Sequence, residues 1–201
     1  MHQVLLAADV RHEIVRLRSL VTSADDLPRV MDLSDGCAAV RCYVPTGGAT
    51  ADPPPVVAVL VRAGTTPDPR AVLHCLPGRA RGLRAASPAE VNAATDYAAG
   101  LVCPVGLPPD VPLLVDEALA TRLVLYTAAG EGGVALGIRT RDLLRATGAL
   151  VAPLVPDVVV RLDDPAPVPS GQAAVLDLDL VLDAEGGRRD GAARRRDGAL
   201  E

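Results

Sequence analysis

The chain has 201 residues, is 49% hydrophobic and carries a formal charge of −5, a length that supports one ordinary domain core with some chain to spare. All 20 of its basic residues are arginine, which excludes a lysine Schiff base, a lysine general base and a lysine phosphate ligand. The acidic balance argues against a strong non-specific hold on a polyanion, although a local basic patch can still meet a phosphate backbone.

Phe and Trp are also absent, a bias that GC-rich coding explains without any functional reason. There is no charged n-region followed by an apolar h-region, and the runs "VVAVLV" and "PLVPDVVV" are too short or too broken to span a bilayer. The expectation is a soluble cytoplasmic protein with no membrane partner. Cys37, Cys42, Cys75 and Cys103 form no C-x-x-C pair, and His2, His12 and His74 make no ligand motif with them. No metal and no cofactor are expected, and the cysteines read as small buried hydrophobes.

In chain order, "VLLAADVRHEIVRL" predicts a helix running into a strand by about Ile14. "SADDLPRVMDL" predicts a short helix with Ser23 as N-cap and acids in its first turn. "CAAVRCYV" and "PPVVAVLVRAG" predict two strands joined by the loop "PTGGATADPP". "DPRAVLHCLPG" has helical spacing and stops at Pro77-Gly78. In "SPAEVNAATDY", Ser87 as N-cap, Pro88 and Glu90 make a capping box, the strongest local signal in the chain.

Beyond the loop "GLVCPVG" come expected strands at "PLLVDEAL" and "RLVLYTAAG", a glycine hairpin, a strand at "VALGIRT" and a helix at "TRDLLRATGA" closed by Gly148. Strands and helices are mixed, with too many hairpins for a doubly wound sheet, so the fold class is α+β. The expected organisation is a domain over residues 1–160, a proline linker and possible edge strand over 161–183, and a disordered tail over 184–201. Within that linker region "AVLDLDLVLD" alternates like a strand with one apolar face.

The succession "LRAASPAEVNAATDYAAGLVCPVGLPPDVPLLVDEALA" followed by "VLYTAAGEGGVALGIRTRDLLRATGA" resembles the YbaK/prolyl-tRNA synthetase-associated editing domain, a family of aminoacyl-tRNA deacylases. The resemblance runs from about Leu5 to Leu150. Its most specific parts are the G-x-x-x-P loop, Gly100 to Pro104, the downstream Asp116 and the hairpin glycines Gly130, Gly132 and Gly133. It implies a single YbaK-like domain, a mixed β-sheet or barrel flanked by helices. It also implies hydrolysis, without metal, of the ester of mischarged aminoacyl-tRNA in trans, in the service of translation fidelity. The implied partners are tRNA and an aminoacyl-tRNA synthetase, with no DNA.

An activated ester needs a positioned water or ribose hydroxyl and donors for the developing oxyanion. A glycine-bearing loop can bring backbone N–H groups close, because no Cβ intervenes. Gly100, Val102 and Cys103 main-chain groups are thus expected to grip the aminoacyl moiety, with Leu101, Pro104, Val105 and Gly106 completing the substrate loop. The rival reading makes the Cys103 thiol a nucleophile, which needs a nearby base and a depressed pKa; His12 and His74 are the available bases.

Where the resemblance leads one to expect a lysine, the strand "GCAAVRCYV" has Arg41. Arginine keeps the charge and can anchor a substrate, but it stays protonated and cannot act as a base; pairing with a surface acid is its other reading. Val105 replaces an aromatic that is common after the proline, and Asp96 replaces a glycine that usually precedes Tyr97. Asp116 either orients the substrate ammonium or caps an element. Arg79, Arg81 and Arg84 either meet tRNA phosphates or form a solvated face. A non-catalytic module on the same fold, binding tRNA, an amino acid or a protein partner, is the alternative function.

Overall fold

The structure, a computed structural model, describes residues 2–7, 9–33, 35–47, 55–78 and 80–156. The proline linker, the "AVLDLDLVLD" segment, the tail and Arg79 lie outside the described residues.

Two sheets carry the fold. The smaller is antiparallel, in the order β1 (His12–Arg16), β7 (Val134–Arg139), β6 (Val124–Ala128). The larger is mixed, in the order β4 (Gly82–Ala85), β2 (Ala38–Thr46), β3 (Val57–Arg62), β5 (Leu113–Asp116), β8 (Leu150–Ala152). Antiparallel pairing joins β4, β2 and β3, whereas β3, β5 and β8 run parallel. A bridge between Cys37 and Tyr126 links the two sheets, with the Tyr126 N–H donating to the Gly36 carbonyl at 2.8 Å.

The unbroken apolar run at β3 follows from its central place, since a strand covered on both faces has no polar positions to alternate. Ala58 and Leu60 point to the main core, alongside Leu113, Val115, Leu125, Leu136 and Ile138. On the other face Val57, Val59 and Val61 pack with Leu114, Leu154 and Val72 of α3 (Pro69–Cys75). Helices α1 (His2–Ala7), α4 (Pro88–Thr95) and α6 (Thr140–Thr147) contribute Leu5, Val91 and Leu143 to the main core.

Local signals set the element ends as expected. Ser23 accepts from the Asp25 N–H and opens a 3-10 turn, Ala24–Asp26, which runs into α2 (Leu27–Met31). Ser87 and Glu90 close a reciprocal capping box on α4, and Gly148 ends α6 at φ +62°. Asp96 ends α4 at φ +58°. Left-handed backbone is what a glycine there would supply, and aspartate is among the few other residues that tolerate it.

Two stretches differ from expectation. The expected strand "PLLVDEAL" stops at Asp116, and the rest turns into the short helix α5 (Glu117–Ala120). The stretch "GRARGLR", which holds Arg79, Arg81 and Arg84, runs into a strand not expected there, β4, whose backbone pairs with residues 43–46 of β2. The alternating apolar signal is too weak over four residues to reveal it.

Ser87→Ala removes one partner of the capping box and should lower stability by about 1 kcal/mol. Chemical denaturation of the two proteins checks this, and equal midpoints would show that the box carries no net energy.

Candidate functional site

The loop Gly100–Pro104 turns its apolar side chains inward. Val102 and Cys103 are buried in the main core with Val105, and Pro104 is buried beside them. Leu101 packs on a second cluster with Ala24 and Leu27. Gly100 takes φ +88°, and a Cβ there would lie 2.7 Å from the Thr22 carbonyl oxygen. This close approach lets the Gly100 carbonyl accept from the Ala24 N–H at 2.8 Å. Gly106 also takes a positive φ, +80°, where the loop leaves the core.

The glycine hairpin between β6 and β7 meets the same segment from another side. The Gly132 carbonyl accepts from the Val21 N–H at 2.9 Å, and the Gly133 carbonyl accepts from Leu17 N–H at 2.9 Å. A side chain on Gly132 would collide with the Val21 carbonyl, and one on Gly130 would meet the Tyr97 ring 2.8 Å away. The Tyr97 hydroxyl in turn lies 3.5 Å from the Val105 carbonyl.

Residues 21–25 thus lie between loop and hairpin, and their last member is bound to Arg41. Two guanidinium nitrogens of Arg41 donate to the two Asp25 carboxylate oxygens at 2.8 and 2.7 Å, the bidentate arrangement that arginine's planar fork favours. Its Nε and Nη2 also donate to the Thr65 carbonyl. Asp25 further accepts from the Gly64 N–H at 2.7 Å and from the Ser23 hydroxyl. Burial works to raise the Asp25 carboxyl, but the hydrogen bonds from Arg41, Gly64 and Ser23 and the Arg41 charge outweigh it and hold the group below its ordinary value. No sequence signal pointed to Asp25 beyond its place in a helix's first turn.

The remaining expected residues fall in three groups. The Asp116 carboxylate is buried and accepts from the Leu154 and Val155 N–H groups at 2.9 and 3.0 Å. It ties down the chain after β8 and makes no side-chain cap on α5. Arg84 is clamped by Glu90, at 2.8 and 2.5 Å, while Arg81 is exposed and hydrogen-bonds through its backbone to Thr46. Cys103 is fully buried, and that burial pushes its thiol up to about 11. His74 is exposed on α3, with Nδ1 on the Arg70 carbonyl, and His12 sits on β1 with Nδ1 on the Val10 carbonyl. A high pKa is the opposite of what a nucleophilic thiol needs. Pro104 and Gly106 also line a recess of about 470 Å³ with Leu107, Val111 and Ala146, a hollow that does not include Arg41.

Residues 51–146 match the family model of the aminoacyl-tRNA editing domain. The chain carries an aminoacyl-tRNA editing fold. Among solved structures this editing fold is similar to the hypothetical protein APE2540, at 22% identity and a TM-score of 0.66 over 76% of this chain and 97% of that one. It is also similar to a candidate trans-editing enzyme for prolyl tRNA synthetase, at 25% identity and a TM-score of 0.59 over 72% of this chain and 87% of that one. Among curated proteins no sequence matches the chain. No helix among the described residues is long and apolar enough to cross a membrane.

Two outcomes follow from this geometry. Asp25 has a lowered folded pKa, so its contribution to stability is complete above the unfolded carboxyl range and is lost as pH falls through the folded value. The stability difference between the wild type and Asp25→Asn should therefore be constant near neutrality and shrink only below about pH 4; a difference that is flat down to pH 2 would contradict the pairing. Iodoacetamide at neutral pH should leave Cys103 unmodified in the folded protein and label it after unfolding. Mass spectrometry reads this, and rapid labelling of the native protein would contradict the buried thiol.

Proposed function

We propose that the protein hydrolyses the ester of mischarged aminoacyl-tRNA in trans. Water adds to the acyl carbon, the bond from that carbon to the ribose oxygen breaks, and the ribose oxygen leaves with a proton as the free amino acid departs. The developing charge falls on the carbonyl oxygen, where positioned N–H donors contribute most. Main-chain groups of Gly100, Val102 and Cys103 are the donors in this reading. The observation that carries it is the loop itself. Its side chains are committed to the core while glycine brings its backbone against residues 22–24.

The proton acceptor in this reading is a water or a ribose hydroxyl of the substrate, since Arg41 stays protonated and the Cys103 thiol is held protonated by burial. Arg41 acts as anchor and orienting charge. Support for the substrate class comes from the family match and from the candidate trans-editing enzyme among the structural neighbours. A synthetase partner belongs to the same reading, as do Arg81 and the other arginines of its stretch as phosphate contacts.

One observation favours a second reading. All three guanidinium nitrogens of Arg41 are engaged by Asp25 and Thr65, which suits an arginine that braces the site and takes no part in chemistry. In that case the fold is a binding module for tRNA, an amino acid or a protein partner.

Single-turnover deacylation of a panel of correctly and incorrectly charged tRNAs separates the two. The expected result is rapid clearing of one mischarged species, reduced by about 100-fold or more in Gly100→Ala, on the scale of a lost oxyanion donor, and also reduced in Arg41→Ala. No clearing of any species, with tRNA or amino-acid binding still measurable, would establish the binding module.

A further inference from the structure

A recess of about 590 Å³ is lined by Asp9, Arg11, Arg139, Arg141, Asp142 and Arg145. Four arginines and two aspartates thus line one hollow, in a chain whose net charge is negative. The register explains how they gather. His12 of β1 pairs with Ile138 of β7, so one step further along the antiparallel ladder Arg11 comes opposite Arg139. Helix α6 begins at the next residue, and its Arg141 and Arg145, one turn apart, share a face.

The counter-charge is incomplete. Asp142 is shared by Arg141 at 3.7 Å and Arg145 at 3.3 Å. Among the described residues, Arg11 and Arg139 make no ion pair. Each placement is unfavourable for the isolated fold. Like charges opposed across a ladder repel, like charges four apart on a helix repel, and cations in a helix's first turn oppose its dipole. An anion in the recess would relieve all three.

The position suits a particular anion. Strand β7 starts beside the hairpin that braces residues 17–21 and ends at Arg139. Six residues of strand span about 17 Å, the length of about five nucleotide steps at about 3.4 Å each.

We propose that this arginine recess binds the phosphate backbone of the tRNA whose aminoacyl end lies at the Gly100 loop, a reading that rests on the proposed deacylase function. The four arginines hold register and orientation and carry no sequence information, as phosphate contacts do.

The test is binding of uncharged tRNA across 50–200 mM salt, comparing the wild type with the double variant Arg139→Ala, Arg141→Ala and with Arg139→Lys, Arg141→Lys. Each lost phosphate contact lowers the slope of log affinity against log salt by about 1, so the alanine pair should lose about 2 and the lysine pair should keep most of the slope. Hydrolysis of a small aminoacyl-adenosine ester should be unchanged in the alanine pair, while KM for aminoacyl-tRNA rises. Unchanged slope in a double variant that melts like the wild type overturns the proposal, as does a wild type with no tRNA affinity. Should no ester be hydrolysed by any variant, the deacylase reading falls while the salt slope still decides the recess.

Discussion

Backbone hydrogen bonds at two close approaches hold the candidate site together. The Val21 N–H reaches the Gly132 carbonyl and the Ala24 N–H reaches the Gly100 carbonyl, and both depend on glycine because a Cβ at either position would run into the carbonyl of Val21 or Thr22. Residues 21–24 are thereby fastened between two loops from distant parts of the chain. Asp25, the next residue, is held where Arg41, Gly64 and Ser23 can all donate to it. Removing either approach frees the segment that orients the Asp25–Arg41 pair.

The buried side chains of the Gly100 loop make the second constraint. Val102, Cys103 and Val105 belong to the core shared by the two sheets. Their backbone is consequently as rigid as the core is well packed. In the proposed reaction a loop held in this way has its donors pre-set, and donors that need no rearrangement stabilise a developing charge most effectively.

Features of short range were legible in the sequence. The capping box at Ser87 and Glu90, the Ser23 N-cap, the buried strand at 57–62 and the Gly148 helix end are each written in a few adjacent residues, and each appears as expected. The loop and hairpin glycines were legible through resemblance, which supplied the order of motifs that no single motif carries. Interactions between polar residues far apart in sequence were not legible. Asp25 and Arg41 are sixteen residues apart and Asp116 reaches backbone N–H groups 38 and 39 residues away, and neither spacing has a periodic signature. The strand β4 was hidden for a related reason: its pairing with β2 is set by the partner's edge, with little pattern of its own.

Arginine at position 41 bears on side reactions as well as on charge. An aminoacyl ester is an acylating agent, and a lysine amine beside it carries a lone pair whenever it sheds its proton, so it can accept the acyl group and form a stable amide. A guanidinium remains protonated throughout the physiological range and has its lone-pair density delocalised over three nitrogens; in Arg41 these nitrogens are further occupied by Asp25 and Thr65. In the proposed reaction, a site built around this pair keeps its positive charge beside the ester and offers that ester no amine to acylate.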